Sequence, residues 1–115
     1  MNEELKSILK INVNNQDIPV EHLIYKGKSK TFITWSIISE VPSLSGDDMD
    51  LYSVTSVDIH VYSEGNYLDI VKEIKKIMKN NNWSWSEDSA EMYEEDTELY
   101  HKTITFEKER FEDNG

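Results

Sequence analysis

Apolar residues recur along this chain in two different periods, and the switches between them divide it into elements. Tyr67, Ile70, Val71, Ile74, Ile77 and Met78 fall at i, i+3, i+4 and i+7, while Lys72, Glu73, Lys75, Lys76 and Lys79 fill the opposite side. That is the stripe of an amphipathic helix over residues 67–79. Its cations gather towards the C-terminal end, where they complement the helix dipole. Asn80-Asn81-Asn82 follows as a stop, because Asn tolerates the left-handed conformation that ends helices. A shorter helix is predicted over about residues 2–11. Asn2 can cap it, Glu3 and Glu4 occupy its first turn, and Leu5, Ile8 and Leu9 share one face. Asn14-Asn15-Gln16-Asp17 ends it.

Elsewhere the period is two, the signature of strands. Residues 31–39 alternate Ile33, Trp35 and Ile37 onto one face. Residues 51–62 place Val57, Ile59 and Val61 opposite Asp58 and His60, so one face of that strand is expected to be wet. Trp83 and Trp85 alternate with Ser84 and Ser86, and residues 99–107 set Tyr100, Ile104 and Phe106 against His101, Thr103 and Thr105. Pro19, in Ile18-Pro19-Val20, calls for an extended or edge segment. Lys26-Gly27-Lys28-Ser29-Lys30 reads as a basic loop or hairpin tip, Pro42 as the end of the 31–39 strand, residues 43–50 as a polar loop, and residues 108–115 as a frayed tail. The expectation is one α+β domain over residues 1–115. It has a mainly antiparallel sheet, the long helix packed on one face and a short N-terminal helix. A doubly wound sheet is not expected, since the chain has no βαβαβ rhythm.

Charge changes the picture. The formal net charge is −11. Residues 1–86 carry 12 acids against 9 bases, and residues 87–115 carry 11 against 3. A field of that sign repels phosphate backbones and anionic lipid, so DNA is expected to pass without being held and no membrane contact is expected. With no Cys, neither disulfides nor thiolate metal sites can form, which fits a reducing cytosol. The start, MNEELKSILKINVNN, is too polar for a secretory signal, and no stretch approaches the ~20 apolar residues of a membrane helix. A cytosolic protein is expected.

Candidate chemistry is sparse. His22, His60 and His101 fall in no ligand-pair spacing and read as side chains on wet faces, so no metal site is expected. Asp47, Asp48 and Asp50 beside Gly46 lack the alternating ligands and closing Glu of a calcium loop, which leaves a solvated turn. Residues 87–98 hold seven acids and no base. Carboxylates that close can shift one another's pKa for acid–base work, but a run this polar implies no burial, and an exposed charged face is expected. There is no GxSxG elbow and no Gly-rich phosphate cradle. Trp83 and Trp85 lack the Lys and Arg of a base-stacking platform and are expected in the core or a subunit interface. No catalytic residue, cofactor or metal is expected, which points to a structural and assembly role in place of an enzyme.

The order of features carries a resemblance. Ile18-Pro19-Val20 is followed by TFITWSII, then SGDDMD leading into YSVTSVDIHVYS, then YLDIVKEIKKIMKNNNW, then YEEDTELYHKTITF. Over residues 17–107 this resembles the small tail-terminator, or tail-completion, proteins of long-tailed bacteriophages and prophages, particularly those of Gram-positive hosts. The resemblance implies an α+β subunit of a homo-oligomeric ring, usually a hexamer, in the virion. Such a ring is assembled in the host cytoplasm, caps the head-proximal end of the tail tube, stops its polymerisation and meets the head-connector or stopper protein. No active site is implied. Asp47, Asp48, Glu94, Glu95, Asp96, Tyr100 and His101 are the candidates for the subunit interface or lumen. Another neck or head-completion protein is the nearest alternative. An acidic cytosolic binding module that mimics DNA is the alternative from a different class.

Overall fold

The structure is a computed structural model that describes residues 2–44 and 51–111. The elements are α1 (Asn2–Ile8), β1 (Ile11–Val13), β2 (Gln16–Ile18), β3 (Val20–His22), β4 (Phe32–Leu44), β5 (Leu51–Ser63), α2 (Leu68–Asn80), β6 (Ser84–Asp88), β7 (Met92–Glu94) and β8 (Leu99–Phe111). The main sheet runs β3-β4-β5-β8-β6, with β7 also paired to β8 beyond the end of β6. All its pairings are antiparallel except β3 with β4. The architecture is α+β, as the sequence periods require.

One sheet face carries the core. Ile33 and Trp35 of β4, Val57, Ile59 and Val61 of β5, and Ile104 and Phe106 of β8 pack against Ile70, Val71, Ile74 and Met78 of α2. Leu5 and Leu9 close one side of the cluster, and Ile11 and Ile18 close another. Cross-strand partners on this face are Ile59 with Trp35 and Ile104, and Val57 with Ile37 and Phe106, so branched and aromatic side chains meet layer by layer. Burial of each such side chain contributes roughly 1.5–3 kcal/mol.

The end of α2 is fixed by its sequence. Asn82 adopts φ 68°, the Trp83 N–H donates to the Met78 carbonyl (2.9 Å), and the Asn82 N–H donates to that of Lys79 (3.2 Å). This is a Schellman closure, and its accompanying apolar pair is Trp83 with Met78, both in the core.

Five local expectations are corrected. Helix α1 stops at Ile8, short of residue 11, because Ile11 leaves to pair with Ile18. The Asn14-Asn15 pair, read as a helix stop, is a two-residue hairpin turn with φ of 55° and 65°, the positive values a type I′ turn demands. Strand β4 does not end at Pro42; that residue pairs with Ser53 and the strand runs on to Leu44. Because β3 covers only Ile33, Thr34 and Trp35, the rest of β4 is an edge where a missing N–H is tolerated. Strand β8 continues to Phe111, so residues 108–111 are laddered to β5. The 26–30 loop is not a hairpin tip, since the strands it joins are parallel. It folds around Tyr25, whose hydroxyl accepts from the Ser29 N–H at 2.8 Å.

The sheet outruns its cover. Thirteen-residue strands such as β4, β5 and β8 span roughly 43 Å, and a helix of the length of α2 about 20 Å. Beyond the buried Thr55, Ser53 and Val54 are half-buried, and the backbone ladder of β4, β5 and β8 continues through Leu44, Leu51 and Phe111. The molecule measures 52 × 26 × 23 Å, and its radius of gyration is 15.9 Å. A compact chain of this length would give about 13 Å.

Candidate functional site

The face of the sheet turned away from the core is built from the even positions of β4 up to its bulge after Ile37, the even positions of β5 and the odd positions of β8. Register sets Phe32 beside Tyr62 and Tyr62 beside His101, and it sets Thr34 beside His60 and His60 beside Thr103. The rings form a continuous stack. Tyr25 lies 4.5 Å from Phe32, Phe32 lies 4.7 Å from Tyr62, and Tyr62 lies 4.2 Å from His101, all nearly parallel. His60 meets His101 at 5.4 Å between centroids in a tilted arrangement. All five side chains are half-buried.

At the end of the stack three polar atoms converge. His60 Nδ1 and His101 Nε2 are 3.3 Å apart, and Thr103 Oγ1 lies 3.0 Å from the first and 3.4 Å from the second. Alongside, the Thr105 hydroxyl donates to Asp58 Oδ1 at 2.6 Å. Burial holds the His60 imidazole below its ordinary pKa, and the neighbouring His101 adds to this while Asp58 opposes it. His101 is likewise lowered, by burial against the opposing charge of Glu94. Both rings are therefore mainly neutral near pH 7. Burial, then Glu94, raises the Tyr62 phenol. The Thr103–His60 contact has the reach of a nucleophile–base pair. The Thr103 N–H, however, donates to Ser89 Oγ at 2.9 Å, so it is not one of the free converging donors an acyl-transfer site needs.

A second cluster lies on the helix side of the sheet, at the end of β6. Asp88 accepts from Trp85 Nε1 (2.7 Å) and from Lys75 Nζ (3.1 Å), with Lys102 Nζ at 3.9 Å. Burial pushes the Asp88 carboxyl up, but these hydrogen bonds and charges outweigh it and the net shift is downward. Trp85 itself is 56% exposed with the Lys75 ammonium 5.4 Å over its ring, whereas Trp83 is in the core. At the end of β8, Tyr100 packs with Tyr93 and Tyr67 and lines an open cleft of about 540 Å³ with Glu64, Leu68 and Glu91.

The structure separates the residues singled out from sequence. Glu94 and His101 share the outer face. Tyr100, adjacent in sequence, points to the opposite face, and Glu95 and Asp96 are exposed in the β7–β8 turn. Asp47 and Asp48 lie outside the described residues. The acidic run 87–98 is not one surface. It forms β6, β7 and the following turn along the sheet edge, with Asp88 engaged by two lysines. Sequence reasoning set Asp58 and His60 together on a wet strand face, but it missed Tyr25, Phe32, Tyr62 and the partnership of His60 with His101. The available signal was the even-numbered alternation of 58, 60 and 62.

No protein-family model matches this chain, and no curated protein matches it.

Proposed function

We propose that the protein is a ring-forming tail terminator: copies associate side by side, cap the head-proximal end of a phage tail tube and join it to the head. The observation that carries this reading is the surplus of unfinished surface on a small domain. The three-stranded ladder runs past its own core, and the outer face holds a half-covered aromatic stack. Large apolar side chains stand out at both rims. Leu23, tied to β4 by donation of its N–H to the Trp35 carbonyl, and Ile24 are 59% and 64% exposed, with Ile38 at the β4 bulge. Met92 and Tyr93 stand out on the other edge. Isolated exposed apolar residues are ordinary, but an overhanging ladder with apolar rims suits burial against a neighbouring subunit. The exposed acids of the β7–β8 turn would repel passing DNA if turned towards a lumen.

The test is functional. Tail-tube subunits of the same phage are polymerised with and without the protein, and tube lengths are measured by electron microscopy. Short tubes bearing a density at one end are expected. An unchanged length distribution at equimolar protein would overturn the terminator reading. Cross-links to the connector without cross-links to the tube would replace it with a neck protein, and competition with DNA for a basic partner would replace it with the DNA mimic.

A further inference from the structure

The geometry points to a transition-metal site on the outer sheet face: we propose that His60 Nδ1 and His101 Nε2 ligate one divalent ion of the imidazole-preferring class, zinc foremost, with Thr103 Oγ1 at the third corner. In a tetrahedral zinc site with bonds of 2.0–2.1 Å, neighbouring donor atoms stand roughly 3.3 Å apart. The two nitrogens are 3.3 Å apart, and the hydroxyl completes a triangle with sides of 3.0 and 3.4 Å. Three donor atoms are therefore already spaced as one face of a tetrahedron, and water supplies the fourth corner. Thr103 is the weak member; it binds directly or holds a metal-bound water.

Several features of the surroundings favour a cation there. The strands that carry the ligands are the two central ones, fixed by antiparallel pairing along their length, so the donors are preorganised by the ladder. Tyr62 stacks flat on His101 and holds its ring plane. Asp58 and Glu94 place negative charge near His60 and His101 respectively, which favours a cation between the rings. Neutral imidazoles, favoured here by burial, are the form that ligates. Among the described residues no group of three His, Cys, Asp or Glu converges, so the affinity rests on the two imidazoles. Two imidazoles and oxygen donors suit zinc, copper or nickel and do not suit magnesium or calcium. The site is independent of the proposed ring and can be tested on the isolated protein.

The experiment is a calorimetric titration of zinc chloride into the tag-free protein at pH 7.5. A single class of sites is expected, absent with magnesium chloride. His60→Gln and His101→Gln are each expected to weaken binding at least tenfold, and His22→Gln, whose ring stacks 4.2 Å from Trp35, to leave it unchanged. Should either variant fail to fold, ¹⁵N spectra of the imidazole rings decide on the wild-type protein. Zinc must then move His60 Nδ1 and His101 Nε2 and spare His22. Equal binding by wild type and the folded His60→Gln/His101→Gln double variant, or ring nitrogens unmoved by zinc, would overturn the proposal.

Discussion

His60 and His101 are held below the ordinary imidazole pKa mainly by burial. A group whose folded pKa is depressed takes up protons more readily in the unfolded chain. Above the ordinary imidazole value both states are neutral and stability is at its full level. As pH falls below that value the unfolded chain gains protons the folded chain refuses, and stability drops until the folded-state pKa is passed. Metal-free protein is therefore expected to melt at progressively lower temperature from pH 7.5 towards pH 5. His101→Gln should flatten that slope, as differential scanning calorimetry would record; an unchanged slope would contradict the coupling. Asp88, whose carboxyl is lowered, has its stabilising effect above the usual carboxylate range and loses it only at more acidic pH. This histidine pair was not legible in the sequence. Its members are 41 residues apart, and only the β5–β8 register, which no local pattern encodes, brings them together.

Among the elements, α2 was the most legible, because its apolar stripe, cation bias and Asn stop all agree. Its buried residues Ile70, Val71, Ile74 and Met78 are those the spacing selects. Ile74 is fully buried. Ile74→Ala is expected to cost about 2–5 kcal/mol by leaving a cavity. Ile74→Asp should abolish cooperative melting by circular dichroism, since it places an unpaired charge in the core. The Schellman closure gives a finer test. Asn82→Val forces a β-branched residue to φ 68° and is expected to cost about 1–3 kcal/mol, while Asn82→Gly should cost nothing or stabilise. Equal melting temperatures for the two variants would contradict the closure.

The hairpin of β1 and β2 shows the other outcome. Two Asn between three-residue strands carry too little alternation to separate a turn from a helix stop, and only the burial of Ile11 and Ile18 settles it. Pro42 misled for a related reason. Whether proline ends a strand depends on whether a neighbour needs its N–H, and that is a property of the sheet.

At the scale of the whole molecule, the fold class followed from the two periods, whereas the elongation did not. Strand length past residue 39 was hidden by Pro42 and by the polar residues around it, so the ladder beyond the core came only with the register. That overhang, with the apolar rims, is where copies would meet in the proposed ring. The most direct measurement is multi-angle light scattering across a concentration series, with electron-microscopy class averages of the main species. A discrete closed oligomer with a central hole is expected, and it should dissociate when Ile24 and Ile38 are both changed to Asp without loss of the subunit's melting transition. A monomer at every concentration, with no annular particles, would contradict the proposed ring.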